Sequence, residues 1–365
     1  MRRSTLVFGL FLLLIAGIVG YNAFLRNQPP LQFTVAVDPS ARQWGAALVE
    51  AFNARGVQVG PNAVRLVATL DATRSDVAVW QGRVTWTGDN HPLAWIPTAA
   101  WIEQLAPNNL TFDVVEPSLA VSPLVWGGFA SRVDVMTQAG AQPFDWGAAQ
   151  ALAAQERWEA AGGQANWGFV NLAINWPPSS AAGVLALDSM MSAFQQSAPV
   201  RSSTFSDAAF RAWFAPLRAA LQVSRSIGES PASVMSSRGA VAAAAALLPE
   251  AEWLRNLEAL NRQETMRFAY PSFPVVLDFP LAMWVDDKTT EEERLAVRAF
   301  GDFVLSAEGQ QITLNAGLRP LGVAVPPQSA LFAAGAAYGI LPDQTFSPGT
   351  TLERSTAEQL VRLLD

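Results

Sequence analysis

The chain has 365 residues, half of them hydrophobic and 15% charged, a globular composition with material for one large or two medium cores. Its formal charge is −7, from 31 acidic against 24 basic residues without a basic cluster, which argues against nucleic-acid binding. Cysteine is absent and His91 is the single histidine, so disulfides, thiolate catalysis, Cys-ligated zinc, iron–sulfur clusters and a lipid-modified N-terminal cysteine are all excluded.

Arg2 and Arg3 precede an apolar run from Leu6 to Gly20 that continues to Leu25. About 20 apolar residues span a bilayer as a helix, whereas a signal-peptide core needs only about 7–15. Tyr21 spoils the best small-x-small cleavage site, which ends at Ala23. An uncleaved anchor and a cleaved signal peptide both stay open for residues 1–30, with the anchor favoured. The basic flank keeps the N-terminus cytoplasmic, so either reading places the rest of the chain outside.

Beyond Pro29-Pro30, strands and helices alternate. Leu31–Val37 reads as a strand, with Asp38 an N-cap and Pro39 the first position of a helix carrying Trp44, Leu48 and Phe52 and stopped at Gly56. Val64–Leu70, Asp76–Trp80 and Leu93–Ile96 read as strands, and Pro97-Thr98 leads into a helix bearing Trp101, Ile102 and Leu105. Leu119–Val125 is a strand whose Pro123 marks an edge or a crossover. Gly127-Gly128 looks like a break. Asp145–Ala161 reads as a helix, Phe169–Ile174 as a strand, and Ala181–Phe194 and Ser206–Leu221 as helices. The alanine-rich Val241–Leu248 is ambiguous between strand and helix by period. Glu250–Leu260 is helical, and Val275–Leu277 and Leu281–Val285 are strands flanking Asp278-Phe279-Pro280. Thr290 and Glu293 form a capping-box pattern before a helix with Val297, Phe300 and Val304. A further helix runs from Ser306 to Asn315, and Thr356–Leu364 reads as a last one. Such alternation defines an α/β protein, in which ligands bind outside the carboxyl ends of the strands.

Four segments, in order, resemble the bacterial class II periplasmic solute-binding proteins, in particular the exported substrate-binding-domain type found with von Willebrand A-type proteins. They are Trp95-Ile96-Pro97-Thr98-Ala99-Ala100-Trp101, Ser122-Pro123-Leu124-Val125, Val275-Val276-Leu277-Asp278-Phe279-Pro280-Leu281-Ala282, and the pair Phe303-Val304-Leu305-Ser306-Ala307-Glu308-Gly309-Gln310-Gln311 and Ala316-Gly317-Leu318-Arg319-Pro320. Ala307 stands where the family has proline. The resemblance implies a two-lobed, class II fold with a hinge of two crossing strands, preceded by the N-terminal transmembrane or signal helix. Lobe one would be 31–124 plus 276–365, and lobe two 125–275. It further implies capture of a small ligand between the lobes for an ABC-type permease. The alternative is a membrane-anchored sensor or interaction module of the same fold, with a von Willebrand A-type partner and no transport role.

Candidate ligand-binding residues lie at strand ends and crossings. Ser40, Thr98, Ser179 and Ser180 open helices, where a hydroxyl and backbone N–H groups meet a polar or anionic ligand or serve as plain caps. Ser122 and Asp278 lie on the crossing strands, where Asp278 binds a ligand or holds hinge amides. Trp80 and Trp176, at strand ends, suit sugar rings, apolar groups or cations, and Tyr270 reaches toward the cleft mouth. No nucleophile elbow, zincin, P-loop or dinucleotide fingerprint is present. The reading is therefore of a binding protein without enzymatic activity, cofactor, metal or nucleic-acid partner, attached to the membrane through its N-terminal helix.

Overall fold

The computed structural model describes residues 8, 11, 13–20, 29–69, 86, 91–100, 112–138, 140–228, 230–347, 349 and 352–364. Residues 13–20 are helical, with Leu13, Leu14, Ile15, Ile18 and Val19 exposed. No helix among the described residues is long and apolar enough to cross a membrane.

The globular part opens with β1 (Leu31–Val37), α1 (Arg42–Arg55), β2 (Gln58–Val59), β3 (Asn62–Thr69) and β4 (Ala94–Ile96). Next come the 18-residue β5 (Phe112–Phe129), α2 (Ala130–Met136), α3 (Trp146–Ala153), β6 (Leu172–Ile174) and α4 (Ala181–Gln195). They are followed by α5 (Ala208–Leu221), α6 (Val223–Ile227), α7 (Pro231–Arg238), β7 (Ala245–Pro249), α8 (Glu250–Gln263), β8 (Met266–Ala269) and β9 (Val276–Trp284). The chain ends with α9 (Glu291–Leu305), α10 (Ala307–Asn315), α11 (Ala330–Ala336) and α12 (Arg354–Arg362). The strands lie in the order β2-β3-β1-β4-β9-β5-β7-β6, with β8 paired to β5 off this path.

Parallel pairing of β1 with β3 and β4 builds the first half of the sheet. Helix α1 stops as its sequence dictates: Gly56 takes a left-handed φ of 62°, a conformation without Cβ cost for glycine. On α9 the capping box forms, with Thr290 Oγ1 accepting the Glu293 N–H at 3.2 Å and Glu293 Oε2 accepting the Thr290 N–H at 2.8 Å. Phe52 of α1 meets Phe300 and Phe303 of α9 edge-on at 5.5 and 5.7 Å, and the Trp44 indole donates to Thr313 Oγ1 of α10 at 3.0 Å. These contacts lock the three helices on one face.

β5 and β9 join the halves. Residues from Phe112 to Pro123 pair antiparallel with β9, and residues from Leu124 to Phe129 pair with β7 and β8. The exchange falls at Ser122–Leu124, where Pro123 faces Val276 and the Leu124 N–H donates to the Val275 carbonyl at 2.9 Å. The crossover read from Pro123 is therefore at that residue. In the second half, β6 and β7 run parallel, Trp126 and Trp146 pack at 4.8 Å, and the Trp253 indole donates to the Val125 carbonyl at 2.9 Å.

Three expectations change and one ambiguity, the alanine run, is decided. Gly127-Gly128 is no break: both residues pair with β7, and a Cβ on Gly127 would stand 2.6 Å from the Trp253 ring, so glycine there serves close packing. β9 is one strand and not two, because the register of β5 shifts between Glu116 and Ala120, opposite Pro280, whose missing N–H is lost where the ladder is already interrupted. The alanine run forms strand β7 over its second half. The helix expected over Asp145–Ala161 ends at Ala153, and turns follow, with Glu156 at a φ of 59°. The strand expected at Asp76–Trp80 and most of the helix after Thr98 lie outside the described residues.

Candidate functional site

Three loops follow the ends of parallel strands, two in the first half of the sheet and one in the second. Parallel register sets Val37 beside Ile96, so the β1–α1 and β4 loops are neighbours. The Asp38 N–H donates to the Ile96 carbonyl at 2.9 Å and ties them together. Asp38 is buried, and its carboxylate accepts the Ser40 N–H at 2.8 Å and the Ser40 hydroxyl. Ser40 is thus spent on a local turn. Thr98, on the adjacent loop, is buried.

In the second half, Trp176 to Ser180 lead from β6 into α4. The Ser179 N–H and hydroxyl both donate to the Trp176 carbonyl, at 3.0 and 3.2 Å. Ser180 is the N-cap of α4, yet its hydroxyl makes no capping bond, and no acidic residue lies in the first turn. The first N–H groups of this 15-residue helix therefore carry positive potential that no carboxylate of that turn offsets. The turn presses on the loop before it: a Cβ on Gly183 would lie 2.1 Å from the Asn175 carbonyl oxygen, so only glycine fits. Trp176 is half-buried, and the Arg225 guanidinium stands 5.9 Å from its ring centroid.

The crossing strands are strongly tied. Ser122 is buried, and its Oγ accepts the Ala251 N–H at 3.1 Å, which serves the first turn of α8. Asp278 accepts from the Ser118 hydroxyl and, at 3.2 Å, from the Gly349 N–H; burial raises its carboxyl above the ordinary range. Tyr270 is half-buried just beyond β8. Its hydroxyl donates to Glu250 and accepts from Arg319 Nη2 at 3.3 Å and from the Leu341 N–H at 3.2 Å, and burial, with the Glu250 charge beside it, pushes the phenol upward. Trp80 lies outside the described residues.

The group that dominates this region joins residues far apart in the sequence. Arg319 and Glu250 are both buried and pair through two bonds, Nε to Oε1 at 2.6 Å and Nη2 to Oε2 at 2.8 Å. The other guanidinium hydrogens reach the carbonyls of Leu341 (3.0 Å), Pro342 (3.1 Å) and Gln344 (3.0 Å). A second buried carboxylate, Glu252, accepts from the Ala232 N–H at 2.9 Å and from Asn175 Nδ2 at 3.1 Å, directly beneath the β6–α4 loop; burial raises its pKa. One local signal was legible: Arg319 and Glu250 are each charged residues beside a proline in an apolar stretch. No cluster of three or more His, Asp or Glu residues able to hold a metal occurs among the described residues.

No protein-family model matches the sequence, and no curated protein matches it. Solved structures do resemble it. A periplasmic thiamin-binding protein aligns with a TM-score of 0.57 at 13% identity, covering 92% of this chain and 97% of that one. The maltose/maltodextrin-binding domain MalE of Bdellovibrio bacteriovorus, bound to maltotriose, aligns with a TM-score of 0.56 at 14% identity over 92% and 98%. UgpB of Mycobacterium tuberculosis, in complex with glycerophosphocholine, aligns with a TM-score of 0.56 at 13% identity over 92% of each chain. The chain is thus a mixed α/β protein with the two-lobed fold of bacterial periplasmic solute-binding proteins.

Proposed function

We propose that this protein is an extracytoplasmic solute-binding protein that captures a small polar ligand between two lobes and presents it to an ABC-type permease. The observation that carries this reading is the unspent N-terminus of α4, with Ser180 and Trp176, set in a fold shared over most of its length with solute-binding proteins. Thr98 lines the opposite wall in this reading. Ser40, Ser122, Ser179, Tyr270 and Asp278 hold the walls and the hinge in shape, since each has its polar atoms engaged within the protein. Lobe one comprises 31–124 and 276 onward, and lobe two 125–275, divided where β5 changes partners. The exposed apolar helix at 13–20 and the preceding double arginine support attachment to the membrane, with the lobes outside.

The test is a thermal-shift screen of the full-length chain in detergent against oxyanions, phosphodiesters, sugars, thiamin-like cations, amino acids and short peptides. A ligand that binds only the folded state stabilises it by about 2.7 kcal/mol at 100-fold its Kd, and the midpoint rises with concentration. One such class, lost in Trp176→Ala, supports the reading. A flat response across all classes overturns it.

A further inference from the structure

The stretch following α11 visits both halves of the molecule. Leu341, Pro342 and Gln344 give their carbonyls to Arg319, whose own backbone pairs with Val121 of β5 through bonds of 2.8 and 2.9 Å. Phe346 packs on the Tyr270 ring at 5.8 Å and lies 5.3 Å from the guanidinium. Gly349 donates to Asp278 on β9, and a Cβ there would stand 2.8 Å from the Val276 carbonyl, so the chain lies flat against the crossing strand. Helix α12 then docks on α4 and on residues 177–179, burying Ala357, Leu360 and Val361, and Gln222 donates to the Leu364 carbonyl at 3.1 Å. The described residues from 341 to 364 therefore touch the hinge at two points and the second lobe at a third.

A buried guanidinium is costly unless every donor is matched, and breaking such a pair leaves a bare buried charge. Here the matching acceptors come from three separate places: Glu250 at the start of α8 in the second lobe, Tyr270 beyond β8, and the carbonyls at 341–344. Rotating one of these against the others breaks bonds that water does not replace in a buried site. We propose that Arg319 is a positioning residue that holds the root of a C-terminal strap, and that this strap crosses the hinge and sets how far apart the two lobes rest. The inference rests on the two-lobe reading but on no particular ligand.

The absence of cysteine makes a distance measurement clean. Paired spin labels on the exposed positions Arg65→Cys in β3 and Ser237→Cys in α7 report lobe separation in the full-length, ligand-free chain in detergent. Trypsin cleavage at Arg354 and Arg362 of α12 reports strap release. With Arg319→Met, cleavage rises roughly 10-fold as local opening becomes easier, and the distance distribution broadens toward longer values. Arg319→Lys, which keeps the charge without the fork, lies between the two. Faster cleavage with an unchanged distance overturns the strap, and unchanged cleavage overturns the role of Arg319. Should Arg319→Met fail to fold, a chain ending at Gly349 carries the distance test, and an unchanged distribution there overturns the proposal. All readouts are taken without ligand, so a flat ligand screen and a failed strap are distinguishable results.

Discussion

Buried charge is handled in opposite ways at the Arg319–Glu250 pair and around helix α4. At the start of α8, Glu250 meets a fully engaged arginine. Beneath the β6–α4 loop, Glu252 accepts from an amide N–H and an asparagine and feels the Arg255 charge, while Asp188 on α4 is buried with no hydrogen-bond partner among the described residues. Burial lifts Asp188 to about 6. The contrast shows where the protein tolerates ionisation. A carboxylate without such a partner, lifted by burial, makes its surroundings answer to protons.

Removing one partner of the Arg319–Glu250 pair gives the largest expected effect. Arg319→Met leaves Glu250 buried without its cation, and the urea midpoint falls by the equivalent of about 3–5 kcal/mol. A loss under about 1 kcal/mol would erase the contrast, since it would make the pair no more than a surface bridge.

Asp188 tests the other side. Its folded pKa of about 6 lies above the ordinary carboxylate value, so the folded state binds the extra proton and stability is greatest at low pH. As pH rises from about 4 through 6, that advantage is lost, by about 3 kcal/mol at most, given 1.36 kcal/mol per pKa unit. Asp188→Asn therefore matches wild type near pH 4 and exceeds it above pH 6.5, as read by urea unfolding at both pH values. Equal stability of the two proteins at neutral pH would place Asp188 with the satisfied groups.

Gly183→Ala sharpens the comparison within α4. The added methyl must displace the Asn175 carbonyl, and overpacking of this kind costs about 1–3 kcal/mol. The same shift disturbs the Asn175–Glu252 bond and alters the fluorescence of Trp176. The smallest effects belong to the two loop serines. Ser40→Ala costs about 0.5–1.5 kcal/mol through the lost bond to Asp38, while Ser180→Ala stays within about 0.5 kcal/mol in stability and weakens ligand binding instead. Calorimetry and unfolding on the same samples separate the two outcomes.

Features whose physics is local were readable from the sequence. The capping box at Thr290, the stop at Gly56 and the crossover at Pro123 each depend on residues a few positions apart. The alanine run was ambiguous because alanine fits both periods equally, and pairing with β5 and β6 decides for strand. Gly127-Gly128 was misread because what needs glycine there is tertiary packing: a ring from α8, more than a hundred residues away, at Gly127, and Val133 and Ala245 at Gly128. Candidate site residues were legible as types at strand ends, but hydroxyl direction was not. Nothing near Ser179 or Ser180 in sequence says that one turns back on Trp176 and the other remains unspent. The Arg319–Glu250 pair, 69 residues apart, depends on the tertiary fold and left only the trace of a charge beside a proline.

A single strand, β5, belongs to both half-sheets, and this gives it a mechanical role. It works as a torsion bar: a twist applied to either end is carried along its backbone to the other. Its ladder changes hands between Ser122 and Leu124. Pro123 sits at that point and brings no amide hydrogen, so torsion concentrated there has one ladder bond fewer to break.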